Sequence, residues 1–343
     1  MIKPKISVII PCFNNGGLLS EMVNCMRNQT LTCWELIIVD DQSTDNTPFI
    51  IKELEKIDSR IKLFIRDRGP KGSVVCRNIG FNNSQGEFIM HLDADDLISD
   101  TCLENRLDFM LKNPEIDYAS FPAKTFYDSN SKEEFIEGAR TWGVPNDKDL
   151  LTSFLSADYP FSVWCNIYKK SAIRDIYWDE KVKIYTDFSF IIPCILNGLK
   201  HKFSNASYFD YYYRVNYSDD NMCNSFVKIE KNESTIYLFK KTLDLLESET
   251  NYLKLKKDFL HFVILHFERL IMDGSKIKID NYLSFFEKYY SSFKVFSLLG
   301  ITKITLCFSN LKIRKAFLYL LLGIRFGYVD YLKILFLQLK KIK

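Results

Sequence analysis

Over the first 120 residues the hydrophobic pattern switches between two periods. Short apolar runs stand at Ile6–Ile10, Leu36–Val39, Ile61–Ile65 and Phe88–Leu92. Each is β-branched and apolar at consecutive positions, as strands buried on both faces are. Between them the spacing is helical. Leu18, Leu19, Met22, Val23 and Met26 share one face, and Phe49, Ile50, Leu54 and Ile57 share another. The second helix is opened by Ser43 or Asp45 as a cap. Strands alternating with helices predict a doubly wound, mostly parallel α/β sheet, a Rossmann-like core. Beyond residue 120 the pattern is mixed. Trp164–Lys169 reads as a strand, Asp187–Leu199 as a helix with Pro193 inside it, and Tyr208–Arg214 as an extended aromatic stretch. From about 230 onward the reading is almost wholly helical.

Composition sharpens this picture. The chain has 343 residues, 47% hydrophobic and 26% charged, which suits a folded protein with a sizeable core. Net charge is +3, so no strong field for nucleic acid spans the molecule. The charge is uneven: Leu311–Lys343 carries eight Lys/Arg against one Asp, which leaves the remainder at −4. In that tail Lys333, Lys340 and Lys341 fall near one helical face, and Val329, Leu332, Leu335, Phe336 and Leu339 largely on the other. Such a helix suits an anionic membrane surface or a packed core edge. No run reaches the ~18 apolar residues of a membrane span, and no signal peptide is apparent. The nine cysteines include no C-x-x-C pair, which predicts reduced, buried thiols in a cytoplasmic chain. The four histidines form no metal set, and His91 is expected to be satisfied locally within its strand.

In doubly wound sheets ligands bind beyond the carboxyl ends of the strands. Candidate chemistry sits there. Pro11-Cys-Phe13-Asn follows the first run, Asp40-Asp41-Gln-Ser-Thr-Asp45 the second, and Asp93-Ala-Asp95-Asp96 the fourth. Asp45 reads better as a helix cap than as a ligand. Three carboxylates within four positions repel one another unless a cation or hydrogen bonds compensate, so Asp93, Asp95 and Asp96 read as functional. A calcium loop starting at Asp93 fails, because Leu97 and Ile98 occupy positions that need an oxygen ligand and a glycine. Gly69 and Gly72 complete neither a dinucleotide fingerprint nor a P-loop.

Taken in order, Pro11-Cys-Phe-Asn, Val39-Asp-Asp-Gln-Ser-Thr-Asp45, Cys76-Arg-Asn-Ile-Gly80 and His91-Leu-Asp-Ala-Asp-Asp96 resemble the family 2 glycosyltransferases. These are inverting enzymes of the GT-A fold that use nucleotide sugars. The resemblance is strong over residues 5–125 and weaker to about 220. It implies a GT-A domain over 1–225, with 1–120 binding the nucleotide sugar and 121–225 facing the acceptor, and a helical extension over 226–343. It places Pro11, Phe13, Asp41, Arg77, Asp93 and Arg214 around the donor. Phe13 supplies a stacking face for the base or is a core aromatic. Asp41 reads the edge of uracil, which favours a UDP-sugar. Asp93 contacts the donor and Asp95 ligates Mg²⁺ or Mn²⁺. Arg77 lies near the phosphates or forms a structural ion pair.

The same resemblance aligns Asp187 with the general base, with Thr186 where Glu is more usual. Asp179 and Glu180 are rivals, and a purely capping role for Asp187 is the alternative. Trp164-Cys165-Asn166 aligns with a stretch that faces the acceptor. Tyr211-Tyr-Tyr-Arg214, with Asn216 and Ser218, aligns with one that closes over the diphosphate. The function implied is sugar transfer to a hydroxyl of a glycan or lipid-linked acceptor in bacterial surface-polysaccharide synthesis, at the inner face of the cytoplasmic membrane. Thr186 also admits a partner protein that binds the donor without turnover. A sugar nucleotidyltransferase is disfavoured by the lack of a Gly-rich, Arg-containing amino-terminal loop.

Overall fold

The computed structural model describes residues 3–127, 134–135, 141–215, 229–272, 285 and 288–290. The chain divides into two compact units, Met1–Asn221 and Met222–Lys343. The predicted basic tail, Asn216 and Ser218 lie outside the described residues.

In the first unit the four opening strands and the first two helices fall where the hydrophobic periods put them, and a third helix is added between the third and fourth strands. They are β1 (Ile6–Cys12), α1 (Gly16–Arg27), β2 (Trp34–Asp40), α2 (Thr47–Ile57), β3 (Ile61–Ile65), α3 (Ser73–Asn83) and β4 (Phe88–His91). There follow β5 (Leu97–Ile98), α4 (Cys102–Lys112), β6 (Tyr118–Ser120), β7 (Ala123–Tyr127), β8 (Glu134–Phe135) and α5 (Leu150–Leu155). A 3₁₀ turn at Val163–Cys165 leads into β9 (Asn166–Lys169), then α6 (Thr186–Leu196), β10 (His201–Phe203) and β11 (Tyr211–Val215). The main sheet has seven strands in the order β10-β6-β9-β4-β1-β2-β3. Only β9 runs against its neighbours β4 and β6. A second sheet, β5-β11-β7-β8, has four strands.

β1, β2 and β4 are fully or almost fully buried, as continuous apolar runs require. β3 departs from the expectation. It is the edge strand, and of its five residues only Ile61 is buried. Lys62, its second residue, uses that half-open face to reach Glu35 of β2. Helix α3 lies so close on β1 that a Cβ at Gly80 would stand 2.4 Å from the Cγ2 of Ile9.

The strand order reverses between β1 and β4, which is the switch point where such sheets open a ligand crevice. Pro11 helps to open it. The β1–β4 register ends at Ile9↔His91, with the Leu92 N–H bonded to the Ile9 carbonyl. Proline has no N–H for the next rung, so the two strands part there.

The second unit contributes α7 (Ile229–Leu246) and α8 (Tyr252–Met272) to the description. Phe239 packs edge-on against Phe259, Phe262 and His266, an apolar seam at helical spacing. Among the described residues no helix is long and apolar enough to cross a membrane. The seven described cysteines are all free thiols. Burial pushes Cys12, Cys76 and Cys194 up to about 12, which makes them inert fillers.

Candidate active site

Register brings the first group together. Cys12 pairs with Asp40, and Asp40 with Ile65, so the three strands end level. The residues that follow, Phe13, Asp41 and Arg66, therefore stand side by side. Asp41 is buried, and its Oδ1 accepts a hydrogen bond from the Arg66 Nε–H. Arg66 is anchored in turn through its Nη1–H to the Gly69 carbonyl at 3.2 Å. Phe13 is no core aromatic. It is 40% exposed, and the Lys71 ammonium sits 3.1 Å above its ring centroid. The loop between Asp40 and α2 is braced locally. Asp40 accepts from the Ser43 N–H at 3.0 Å, and Asp45 accepts from the Thr47 N–H at 3.0 Å, as a residue opening a helix does.

The second group follows β4. Asp93 keeps about 30% of its side chain exposed, and its Oδ1 accepts from the Arg77 Nη2–H at 2.5 Å. Arg77, buried on α3, also lies over the Trp178 ring, so the ion-pair reading of Arg77 holds. Burial is the largest influence on Asp93 and lifts its carboxyl to about 6 against the pull of Arg77; the charges of Asp95 and Asp187 add to the rise. The Asp95 carboxyl is also raised, by burial first, while its own backbone N–H and Arg214 oppose. Among the described residues no other side chain hydrogen-bonds the Asp95 carboxylate. Asp96 has a different task. It is fully buried and accepts from the Tyr211 hydroxyl at 2.5 Å and from the Arg214 N–H at 2.7 Å, tying the end of β4 to β11.

That tie delivers Arg214 to the site. Its Nε–H donates to the Asp95 carbonyl at 2.6 Å and its Nη2–H to Glu21 of α1 at 2.6 Å. Of the three tyrosines before it, Tyr211 is core. Its ring stacks on Trp164 with centroids 4.6 Å apart, and Tyr213 stacks on the same indole at 5.6 Å.

Asp187 stands in the first turn of α6 but does not cap it. The N-cap is Tyr185, in left-handed backbone at φ 57°, with no side-chain cap bond. The Asp187 Oδ2 instead accepts from the Ser162 hydroxyl and from the Val163 N–H at 3.2 Å. Thr186, the departure from the family's usual Glu, sits beside it with Oγ1 3.5 Å from Oδ1. Asp187 opens into a cavity of about 230 Å³ walled by Trp142, Phe154, Tyr159, Phe161 and Phe188. The rival Glu180 is committed elsewhere. Burial pushes its carboxyl up, but hydrogen bonds from Asn78 and Arg68 outweigh this and hold it below the usual range, which makes it a poorer base.

Three expectations need correction. Cys165 and Asn166 do not face an acceptor; both are fully buried. Asn166 accepts from the Ser120 hydroxyl at 2.5 Å and donates to the Tyr168 hydroxyl at 2.7 Å. His91 is not satisfied within its strand. Its Nδ1 has no hydrogen-bond partner among the described residues, and burial holds the ring neutral inside a cage of Tyr168, Trp178 and Phe190. The second helix, α2, is capped by neither Ser43 nor Asp45; its N-cap is Asn46. The residues that sequence reasoning missed are the positioning partners Arg66, Ser162, Glu21 and Lys71. A signal existed for Arg66 alone, because it directly follows the third apolar run.

At the switch point of the doubly wound sheet Asp93, Asp95 and Asp96 stand together, with Arg77 bonded to Asp93 and Arg214 to the Asp95 carbonyl. The solved structure of S. aureus TarS 1–349 in complex with UDP-GlcNAc shares this fold. It has a TM-score of 0.63 and 17% identity, over 99% of this chain and 92% of that one. The family described as Glycosyl transferase family 2 matches residues 7–177, and the chain belongs to it. The GalNAc(5)-diNAcBac-PP-undecaprenol beta-1,3-glucosyltransferase of Campylobacter jejuni is 30% identical over 55% of this chain and 62% of its own length. The Escherichia coli UDP-Glc:alpha-D-GlcNAc-diphosphoundecaprenol beta-1,3-glucosyltransferase WfgD is 40% identical over 32% of this chain and 42% of its own. The chain thus spans less than two thirds of the length of these curated relatives.

Proposed function

We propose that the protein is an inverting glycosyltransferase. It moves one sugar from a UDP-sugar to a hydroxyl of a lipid-linked or polymeric glycan in cell-surface polysaccharide synthesis. The observation that carries this reading is the acidic group at the sheet's switch point. Asp93 and Asp95 emerge at the carboxyl end of β4, with Arg77 bonded to the Asp93 carboxylate and Arg214 to the Asp95 carbonyl. The names of the Campylobacter and E. coli relatives support a lipid-linked acceptor, and the TarS complex supports a UDP-sugar donor.

Each residue then has a task. Phe13 offers a face to the uracil, and Asp41, oriented by Arg66, accepts the N3–H. A cytosine presents an acceptor at that position, and the lost match costs ~1–3 kcal/mol. Arg77 orients Asp93 toward the donor. Arg214 sets the backbone of Asp95 and brings fixed positive charge to the diphosphate side. Asp187 takes the proton of the acceptor hydroxyl as its oxygen attacks the anomeric carbon from the face opposite the diphosphate, so the configuration inverts.

The residues present fit Mg²⁺ or Mn²⁺. Among the described residues no side chain donates a hydrogen bond to the Asp95 carboxylate, and a carboxylate at the end of β4 supplies the kind of hard oxygen that such an ion takes beside substrate phosphate. Asp95 would hold the ion, with Asp93 beside it, and when bound the ion offsets charge developing on the departing diphosphate.

The test is Asp187→Asn. Transfer should fall by roughly 10²–10⁴-fold while donor affinity stays unchanged. A fully active variant removes Asp187 from the mechanism.

A further inference from the structure

The loop between β3 and α3, residues 66–72, borders the donor-base group at both ends. It opens on Arg66, whose Nε–H donates to the buried Asp41 carboxylate. It closes with Lys71, whose ammonium stands over the Phe13 ring. The backbone of this same loop sets Arg66. The Arg66 Nη1–H donates to the Gly69 carbonyl at 3.2 Å and reaches the Arg68 carbonyl at 3.4 Å. Gly69 stands at φ +68°, a left-handed conformation that favours glycine. A Cβ there would meet Glu180 Oε2 and Val75 Cγ1, each at 3.2 Å, so the turn that presents this carbonyl is closely packed on both sides.

The loop is gripped from a distant part of the chain. Two side chains of segment 178–185 reach it, each 112 residues beyond its partner. Glu180 Oε1 accepts from the Arg68 Nη1–H at 2.8 Å, and the Lys183 ammonium donates to the Lys71 carbonyl at 2.9 Å. The segment is itself fixed on α3. The buried Asn78 donates through Nδ2 to the Trp178 carbonyl at 2.9 Å and to Glu180 Oε1 at 3.0 Å, and its Oδ1 accepts from the Trp178 N–H at 3.0 Å. A continuous path therefore runs from Asn78 through Glu180, Arg68 and Gly69 to Arg66 and Asp41. The Arg68–Glu180 ion pair is partly exposed, at 45% and 28%, so it adds little to stability. Its effect is on where the loop's carbonyls stand.

We propose that Glu180 and Lys183 are specificity-determining positioning residues for the donor. They clamp the loop, and through Gly69 and Arg66 the clamp holds Asp41 in the geometry that accepts the N3–H of a base. This rests on the donor reading above and deepens it. Uracil offers an N3–H to the carboxylate, whereas cytosine turns a lone pair toward it. A loosened Asp41 therefore weakens the binding of uridine nucleotides and spares that of cytidine nucleotides.

The experiment titrates UDP and CDP into the full chain by calorimetry, with Mn²⁺ present. In Glu180→Ala, Arg68→Ala and Lys183→Ala, affinity for UDP should fall roughly tenfold and affinity for CDP should not fall. The double variant Glu180→Ala/Arg68→Ala should lose no more than either single one, as the two halves of one contact do. Lys183→Arg, which can still donate to the Lys71 carbonyl, should restore the preference. Unfolding midpoints check that the variants fold. Arg68→Ala and Lys183→Ala change partly exposed side chains and carry the test if Glu180→Ala does not fold. Equal loss of UDP and CDP binding overturns the proposal, as does an unchanged preference. An effect of Arg68→Ala that a folded Glu180→Ala does not share overturns it too, because Arg68 would then act on the donor without the clamp. If the wild type binds UDP no better than CDP, the donor reading falls and the clamp with it.

Discussion

Asp187 is held in place by groups from outside its own helix. The Ser162 hydroxyl and the Val163 N–H both donate to Oδ2, 25 and 24 residues upstream of it. The N-cap of α6, Tyr185, stands in left-handed backbone and makes no side-chain cap bond. In the proposed mechanism Ser162 is a positioning residue for Asp187. Ser162→Ala should lower kcat by about tenfold, the worth of one hydrogen bond to a charged group, and leave the KM for the donor unchanged. Equal losses in kcat and donor affinity would mean that Ser162 acts on the fold rather than on the base. At the donor end Arg66 plays the matching part for Asp41. Arg66→Lys, which keeps charge but loses the Nε–H geometry, should erode the preference for UDP over CDP in a competition assay while the protein stays folded. An unchanged preference would detach Asp41 from base reading. Sequence reasoning could single out Asp41, Asp93, Asp95 and Asp187 as candidates, because each lies at a strand end or helix start with a recognisable neighbour pattern. It did not find Ser162 or Glu21. Their partners lie 25 and 193 residues away, and no local period marks such contacts.

Among the elements, β1, β2 and β4 were legible because short continuous apolar runs suit strands covered on both faces. What the runs could not reveal was sheet order. The pattern of β3, Ile-Lys-Leu-Phe-Ile, carries a lysine that fits an edge, and the edge is where it lies. β9 and β11 fall in the stretches read as extended, Trp164–Lys169 and Tyr208–Arg214, but the antiparallel direction of β9 and the existence of a second sheet escaped, because two- to five-residue strands give too short a pattern. One buried carboxylate pins the first three strands to the turn before β4. Glu35, on β2, accepts from Ser7 of β1 at 2.6 Å, Lys62 of β3 at 2.6 Å and the Gln85 N–H at 2.5 Å. Burial pushes its carboxyl up, but Lys62, Ser7 and Gln85 together outweigh this and hold it below the usual value. The stabilisation is therefore present above the unfolded-state value and is lost as pH falls through the lower folded-state value. Glu35→Gln should cost about 2 kcal/mol at neutral pH, measured by urea unfolding. The gap to the wild type should narrow as pH falls below the ordinary glutamate value of about 4.3 and close only beneath the lower folded-state value, where both carry a neutral side chain. A gap that persists at low pH would assign the effect to shape rather than charge.

For the whole molecule, the sheet, the second sheet and α6 converge on one crevice. The switch point opens where Pro11 ends the β1–β4 ladder. Asp96 fastens β11 across it, and α6 brings Asp187 to the other side. The basic tail belongs to this scale too, although its residues lie outside those described. If it serves as a membrane anchor, Lys333, Lys340 and Lys341 changed together to Glu should abolish pelleting of the full chain with anionic vesicles, at ~1 kcal/mol per basic residue near such a surface. Pelleting that is unaffected would assign the tail to packing. The central claim, however, is that the end of β4 holds a cation together with the diphosphate of a uridine nucleotide. It is tested most directly by calorimetric titration of UDP, with GDP and CDP as controls, with and without Mn²⁺, on the wild type and on Asp95→Ala. The account predicts UDP binding that strengthens with Mn²⁺ and loses that dependence in the variant. Binding of UDP that is indifferent to both Mn²⁺ and Asp95, or no binding of any nucleoside diphosphate, would contradict it.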